Sequence, residues 1–122
     1  MKYTLLVVTD PAKAPASGSR LEGQLFQAFF AFNREIVDKG AYLGGEPLQD
    51  VATATTIRVV NGQVSATDGP FAETKEQIGG VYLLECADLD EALGWAAKVP
   101  TAAFGYGAVE VRPCMDYSHA MG

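Results

Sequence analysis

In the first third of the chain, the pattern of hydrophobic and polar residues begins as a continuous apolar run and later repeats with helical spacing. The run Lys2–Thr9, KYTLLVVT, predicts a buried strand. Residues 10–18 are rich in Pro, Ala and Ser and predict a long loop, a kind of segment that often lies over a site. From Arg20 to Lys39 apolar side chains recur every three or four positions, which predicts a helix. Gly40 follows directly, as is typical of a helix C-terminus.

This predicted helix has a wider apolar face than a single sheet requires. One stripe comprises Leu21, Leu25, Phe29, Phe32 and Ile36. An adjoining stripe comprises Phe26, Phe30 and Val37. Because one stripe is enough to cover a sheet, the second either packs against another element or subunit, or joins the same core. The pattern alone favours neither alternative.

A β-hairpin is predicted in the middle of the chain. Asn61-Gly62 separates TTIRVV from QVSAT, and this dipeptide between strand-like runs indicates a type I′ turn. In the first strand Ile57 and Val59 share one face and Arg58 lies on the other. Before the hairpin, residues 41–50 begin like a short strand that breaks at two glycines and a proline.

The last third alternates strand, helix and strand. Residues 79–86 predict a strand, in which the hydroxyl of Tyr82 is expected to find a polar partner at the sheet edge or in a cavity. Asp88 and Glu91 have the spacing of a capping box before a helix that Pro100 ends. The run Gly107–Pro113 alternates apolar and polar residues, as a half-buried strand does.

The order of elements predicts an α+β fold on the ferredoxin-like βαββαβ plan with an added β-hairpin. Both helices would then lie on one face of a mainly antiparallel sheet. The other face needs a cover, for which we expect the sheet of a second copy, so that the chain is its own partner in a homodimer. A cavity is expected between the two sheets or under the long loops.

Composition and charge narrow the function classes. The chain has 122 residues, 48% of them hydrophobic, which predicts one domain over residues 1–122 with an irregular tail from about residue 114. Its net charge of −6 would repel a phosphate backbone, so no direct nucleic-acid partner is expected. The N-terminal apolar run is too short to span a bilayer and lacks the pattern of a signal peptide. We therefore expect a cytoplasmic protein with no membrane partner.

The cysteines and histidine give no pattern that would bind a metal. Cys86 and Cys114 have no CxxC spacing and no neighbouring histidine, which argues against a zinc site or a disulfide framework. We expect Cys86 to be a small buried side chain, and we expect no cofactor and no metal.

The chemically densest stretch is TDGPFAETKEQ, residues 67–77. In a structural interpretation, Asp68 accepts hydrogen bonds from the amides of residues 70–72, Gly69 and Pro70 make a sharp turn, and Phe71 packs into the core. This interpretation accounts for each of the four residues without a substrate.

In a functional interpretation, the same loop lies at the mouth of the sheet cavity. Asp68 is then the candidate catalytic residue. The candidate contacts for a small polar ligand are Glu46, Arg58, Glu73, Thr74 and Lys75.

The run DGPFAETKE at residues 68–76, together with the hairpin before it and the strand and helix after it, resembles the DGPF-containing branch of the YCII-related proteins. The resemblance extends over nearly the whole chain. It implies a dimeric α/β barrel of ferredoxin-like subunits, a fold shared with muconolactone isomerases and small monooxygenases. The family has no settled activity, although relatives often carry a His-Asp pair proposed as catalytic. DGPF proteins also tend to be encoded near extracytoplasmic-function sigma factors.

The chain departs from those relatives in its histidine. The one histidine is His119 in the tail, and the predicted first helix has none. A general base would then be a carboxylate of Asp68, Glu46 or Glu73, or the amine of Lys75.

Three functions remain at this stage. The first is a small-molecule-binding domain, a sensor or accessory protein associated with sigma-factor regulation. The second is a cofactor-independent enzyme that performs isomerase- or lyase-like proton transfer on a small organic acid or lactone. The third is a purely protein-binding dimer.

Overall fold

The computed structural model of the chain describes residues 1–118. Its elements are β1 (Lys2–Thr9), α1 (Arg20–Asp38), β2 (Tyr42–Pro47), a 3₁₀ turn (Val51–Thr53), β3 (Thr55–Val60), β4 (Gln63–Asp68), β5 (Gln77–Glu85), α2 (Leu89–Lys98), α3 (Pro100–Ala103) and β6 (Gly107–Pro113). His119, noted in the predicted tail, lies outside the described residues.

Four of the strands form an antiparallel sheet in the order β2-β5-β1-β6. This order is that of the ferredoxin-like plan, with β1 and β5 in the centre and the inserted hairpin β3–β4 as a separate two-stranded sheet. The predicted fold is confirmed. The predicted bounds of β1 and β6 match the structure, because both strands have uninterrupted strand patterns.

The core lies between this sheet and the helices. Tyr3, Leu5 and Val7 alternate along β1 and are buried, so they mark one face of the sheet. Ile36 of α1 and Ala96 of α2 belong to the same buried cluster, which places both helices on that face. Burying each of the largest side chains in this cluster stabilises the fold by about 2 kcal/mol. The opposite face is only half-buried in the single chain.

Side-chain caps define where both long helices begin. The Ser19 hydroxyl accepts from the amide of Glu22 at 3.2 Å, and α1 ends before Gly40, whose φ of +75° suits a glycine. Before α2, Asp88 accepts from the amide of Glu91 at 2.9 Å. The carboxylate of Glu91 accepts in turn from the amide at residue 87 at 2.6 Å, so the predicted capping box is formed.

Strand β2 differs from its prediction. The pattern predicted a break at Gly44, Gly45 and Pro47, but the strand continues through these residues as an edge of the sheet. The ladder of β5 provides partners for the backbone, and the amide of Leu48 still donates to the carbonyl of Gly79 at 2.9 Å. A proline is tolerated there because an edge strand has one side without a ladder.

The hairpin β3–β4 is formed as predicted. Asn61 and Gly62 have φ of +52° and +76°, the two positive values of a type I′ turn. The register pairs Val59 with Val64 and Ile57 with the alanine opposite, so these side chains share one face. Among the described residues, the hairpin packs extensively against no other element.

The loop after the hairpin corrects a second prediction. Phe71 was expected in the core, but it is 77% exposed, with the Arg58 guanidinium 5.3 Å from the centre of its ring. The hairpin projects from the sheet and takes this loop with it, so no core lies within reach of the ring.

Candidate functional site

A cavity of about 590 Å³ lies between α1 and the helical face of the sheet. Strands β1, β2 and β5 form its floor, and α1 forms its main wall. This cavity lies within one chain, whereas the cavity expected between two sheets requires a second copy and stays a prediction. The physical reason is that Gly45, Gly79 and Gly80 contribute no side chains to the floor, so the helix and the sheet do not fill the space between them.

The wall from α1 is aromatic. Leu25 and Phe29 of the first apolar stripe line the cavity, as do Phe26, Phe30 and Val37 of the second. The second stripe is 52 to 69% exposed and therefore is not part of the core of the single chain. This rules out one of the two alternatives for the wide helix face and leaves a contact with another element or subunit.

A polar pair interrupts the apolar lining. The Tyr82 hydroxyl donates to Asn33 Oδ1 at 2.6 Å. The Tyr82 ring is 9% exposed and packs edge-on against Phe32, with ring centres 5.4 Å apart. Burial, and to a lesser extent Tyr42, raises the pKa of Tyr82 to about 12. At neutral pH this hydroxyl is therefore a hydrogen-bond donor that keeps its proton.

The backbone beside this pair has the features that hold Tyr82 in place. A Cβ on Gly45 would lie 2.9 Å from Tyr82 Cδ1 and 2.8 Å from the carbonyl oxygen of Val81. Three residues before Tyr82, β5 bulges at Gly79, between the residues that pair with Val7 and Val8. Bulges often re-aim side chains next to functional sites, and this one borders the cavity.

The walls of the cavity contain no cationic side chain among the described residues. Its lining includes no lysine, arginine or histidine, and Glu46 is its one acidic residue. Glu46 pairs with Val81, whose side chain alternates to the opposite face from Tyr82. The carboxylate of Glu46 therefore points away from the polar pair, and the interior is uncharged.

Asp68 lies at the exposed end of β4, paired with Thr55. Among the described residues no hydrogen bond to its carboxylate is formed, so the expected cap over residues 70–72 is wrong. The turn is instead held by two bonds to Gly69. Its amide donates to the carbonyl of Ala54 at 2.8 Å, and its carbonyl accepts from the Thr56 hydroxyl at 2.8 Å.

The remaining predicted contacts lie with Asp68, away from the cavity. Arg58 is on β3, and Glu73, Thr74 and Lys75 are exposed in the loop before β5. None of these lines the cavity. The structure thus separates Glu46, on the four-stranded sheet, from the other predicted residues, on the hairpin and its following loop.

Sequence reasoning expected a polar partner for Tyr82 but did not identify it. Asn33 lies 49 positions away in the chain, in line with Phe30 and Val37 on the side of α1 that faces the cavity, and an isolated asparagine there resembles any solvated residue. The one signal in the sequence was an asparagine between two apolar stripes of the same helix.

Other reactive groups are ordinary structural residues. Burial raises the pKa of the Cys86 thiol to about 11, and the neighbouring Glu91 adds to the rise. The Cys114 sulfur lies 3.2 Å from the Thr4 hydroxyl. Within residues 1–118, no three His, Cys, Asp or Glu side chains converge as a metal site would require. No helix in that range is long and apolar enough to cross a membrane.

The fold and the cavity define a ferredoxin-like α+β protein with an uncharged, aromatic-walled cavity beneath its first helix. The sequence matches the YCII-related domain family over residues 1–118, and the chain belongs to that family.

One relative and one solved structure of similar fold give this assignment context. An uncharacterized protein of Rhizobium meliloti (strain 1021) is 36% identical over 117 residues, which are 96% of this chain and 94% of that protein. A similar solved structure is the 5-chloro-2-hydroxyhydroquinone dehydrochlorinase of Burkholderia phenoliruptrix AC1100 in complex with 2,5-dihydroxybenzoquinone. It has a TM-score of 0.56 and 16% identity over 98% of both chains, a likeness that shows the fold alone.

Proposed function

We propose that the chain is a small-molecule-binding domain whose site is the cavity between α1 and the sheet. The ligand we propose is an uncharged aromatic compound that carries a hydroxyl or carbonyl group. The observation on which this proposal depends is the hydrogen-bonded pair of Tyr82 and Asn33 within an otherwise apolar lining. A few polar groups in an apolar pocket are what orients a bound small molecule.

The size and the walls of the cavity support an aromatic ligand. Its volume of about 590 Å³ is within the range of small-molecule sites. Phe26, Phe29 and Phe30 offer ring faces and edges against which a ligand ring can stack. With its proton donated to Asn33, the Tyr82 hydroxyl can accept from a ligand hydroxyl through its oxygen, and the Asn33 side-chain NH₂ can donate to a ligand oxygen.

The absence of a cation in the described lining supports an uncharged ligand. An anionic ligand would lose its hydration on entry without gaining a paired charge, which costs several kcal/mol. This argues against a small organic acid, and among aromatic compounds it favours uncharged phenols. The solved structure of similar fold is bound to 2,5-dihydroxybenzoquinone, a ring with hydroxyl and carbonyl groups, which supports a ring-shaped ligand; it does not support the absence of charge, because those hydroxyls are vinylogous acids.

A binding role is favoured over catalysis because the polar pair does not ionise near neutral pH. Tyr82 has a pKa of about 12, and an amide does not titrate. We propose that binding serves a sensor or accessory role associated with sigma-factor regulation. The support for that role is the resemblance of residues 68–76 to DGPF proteins.

A second candidate is a cofactor-independent enzyme with isomerase- or lyase-like chemistry. The observation that favours it is that a dehydrochlorinase shares the fold. The base would then be the Asp68 carboxylate, with contacts from Glu46, Arg58, Glu73, Thr74 and Lys75. Because Asp68 does not line the cavity of its own chain, this mechanism requires a second copy to supply it.

Calorimetric titration with phenol, catechol and benzoate tests the binding proposal. We expect the two uncharged phenols to bind and benzoate, a ring of similar size with a negative charge, to bind at least ~tenfold more weakly. Tyr82→Phe should weaken phenol binding by roughly fivefold to tenfold, the value of one hydrogen bond. Tyr3→Phe is the matched control, because Tyr3 is equally buried on the same sheet face but does not line the cavity.

Each result has a distinct meaning. If none of the three compounds binds, the aromatic-ligand proposal fails. If benzoate binds as well as phenol, the ligand is not restricted to uncharged compounds. For the enzyme, turnover of a lactone or a chlorinated phenol should vanish in Asp68→Asn while phenol binding persists. A wild-type chain that converts none of these substrates counts against catalysis.

A further inference from the structure

The cavity has hydroxyl groups in its lining besides the polar pair of Tyr82 and Asn33. Two threonines line it, Thr9 at the end of β1 and Thr101 in α3. Each presents one hydroxyl, which can both donate and accept a hydrogen bond. These two side chains have no part in the site described so far.

The register of the sheet separates Thr9 from the polar pair. Tyr82 pairs with Leu5, and Thr9 is four residues further along β1, which is about 13 Å of strand. Along α1 the lining extends over eight residues from Leu25 to Asn33, which is about 12 Å of helix. The cavity is therefore long enough to hold a ring between the polar pair and Thr9.

The two threonines lie beside each other. Thr9 pairs directly with Gly107 of β6, and paired residues of antiparallel strands are about 5 Å apart. A Cβ on Gly107 would lie 3.0 Å from Thr101 Cγ2, so the methyl group of Thr101 covers this glycine. The side chain of Thr101 is thereby next to that of Thr9. We call these two side chains the threonine subsite.

The Thr101 hydroxyl is open to the cavity and has no partner within residues 1–118. In that range every fully buried side-chain oxygen or nitrogen has a hydrogen-bond partner, so this oxygen is not fully enclosed. Thr101 as a whole is only 4% exposed, and because it lines the cavity, its small open surface faces the cavity. A hydroxyl withdrawn from bulk water without a partner is unfavourable, and a ligand oxygen that bonds to it removes that cost.

Gly79 leaves the hydroxyl of Thr9 accessible. A Cβ at Gly79 would lie 3.2 Å from Thr9 Oγ1, close enough to crowd this oxygen. Gly79 is the bulged residue of β5 and itself lines the cavity. Within residues 1–118 the Thr9 hydroxyl also forms no hydrogen bond. The bulge and the missing side chain therefore leave the Thr9 oxygen free to bond to a ligand.

The threonine subsite is uncharged. Asp10 follows Thr9 in the chain and is 2% exposed, but it does not line the cavity. Its Oδ1 accepts from the amide of Ala12 at 3.0 Å, in the loop after β1. The subsite therefore suits an uncharged hydroxyl or carbonyl group rather than an ion.

We propose that Thr9 and Thr101 bind a second polar group of the ligand, on the side of its ring opposite to the group that the polar pair binds. This inference rests on the proposed function, because it concerns the same cavity. The separation along the strand is comparable to the length of one benzene ring with a hydrogen bond of about 2.8 Å at each end. The ligand class is thereby narrowed to phenols with a hydroxyl or carbonyl group in the para position.

Calorimetric titration with hydroquinone and 4-methylphenol, in the absence of oxygen, tests the subsite. The two compounds have nearly the same shape and share one phenol hydroxyl, but hydroquinone has a second hydroxyl where the other has a methyl group. We expect the wild type to bind hydroquinone about fivefold more tightly, roughly the value of one net hydrogen bond.

Threonine-to-valine variants keep the shape of the side chain and remove its hydroxyl. Thr9→Val and Thr101→Val should each reduce the preference for hydroquinone by about threefold, because a methyl group then faces its second hydroxyl. Gly79→Ala should reduce it as well, by crowding Thr9 Oγ1. Thr4→Val is the matched control, since Thr4 lies on the same strand but does not line the cavity. Circular dichroism establishes that each variant is folded.

The ratio of the two dissociation constants distinguishes a lost subsite from a general loss of structure, which weakens both compounds alike. The proposal is overturned if the wild type binds 4-methylphenol at least as tightly as hydroquinone, or if either valine variant keeps the wild-type ratio. In both cases phenols still bind in the cavity, so the proposed function stands. If the wild type binds neither of these compounds nor phenol, both proposals fail.

Discussion

The close approach of β2 to Tyr82 leads to a prediction about Gly45. Gly45→Ala adds a Cβ 2.8 Å from the carbonyl oxygen of Val81 and 2.9 Å from Tyr82 Cδ1. Such distances are shorter than carbon atoms tolerate, so the Tyr82 ring or the β2 backbone must shift. The backbone oxygen is fixed in the ladder, which leaves the ring to move away from Asn33.

The change in the free energy of unfolding for Gly45→Ala is the sum of two opposed contributions. Overpacking a filled site costs about 1–3 kcal/mol. Removing a glycine from a strand returns about 0.5–1 kcal/mol. The expected net loss of unfolding free energy for Gly45→Ala is therefore about 1 kcal/mol, and at most about 2.5 kcal/mol. Gly44→Ala is the matched control, because a Cβ at Gly44 has nothing within 4 Å and should be neutral or slightly stabilising.

Urea unfolding followed by fluorescence measures both variants. The chain has one tryptophan, Trp95, whose ring lies 6.2 Å from that of Phe32, which in turn packs on Tyr82. The Gly45→Ala variant should also bind phenol more weakly than the Gly44→Ala variant does. Equal stability and equal affinity in the two variants would refute the argument that Gly45 sets the position of Tyr82.

Three further outcomes are expected. The free energy of unfolding should be highest below about pH 9 and fall between about pH 9 and pH 12. In the folded chain the pKa of Cys86 is about 11 and that of Tyr82 about 12, whereas in the unfolded chain they return to 9.0 and 10.0. The unfolded chain therefore loses these protons first as the pH rises, which favours unfolding. Each group contributes on the order of 1–2 kcal/mol, and Tyr82→Phe should remove the part of the loss above pH 10 in urea titrations; a stability profile that is flat across this range would contradict the prediction. Asp88→Ala should lower the free energy of unfolding by about 1 kcal/mol through loss of the helix cap. Asp90→Ala, two residues further on within the first turn, should change it by less than about half as much; equal losses would contradict the role of Asp88 as the cap. Asp68→Ala should change the free energy of unfolding by less than about 0.5 kcal/mol, because that exposed carboxylate caps no turn. A larger loss measured by calorimetry would show that the carboxylate makes a stabilising contact.

The elements were the most predictable part of the fold. The apolar run of β1, the Asn61-Gly62 turn and the capping box before α2 are local patterns, and the structure confirms all three. Strand β2 was the exception, because two glycines and a proline look like a loop until β5 is present to pair with them.

The candidate site was less predictable. The sequence drew attention to the residues around Asp68 because charged and turn-forming residues are dense there. The cavity instead depends on Tyr82, Asn33 and the glycines of the sheet, which are ordinary residues in their own segments. Phe71 was misplaced for a related reason, since an aromatic residue beside a turn packs into a core only when a core lies within reach.

The sequence by itself determined the helices, the strands other than β2, the hairpin and the order of these elements along the chain, because each depends on interactions within a few residues. Tertiary structure alone decided where the cavity lies, that Tyr82 donates to Asn33, and that the hairpin projects with its apolar face in solvent. These features depend on contacts between residues tens of positions apart. The free energies of these contacts depend on which faces of the helices and strands pack together, and a local sequence pattern does not specify that packing.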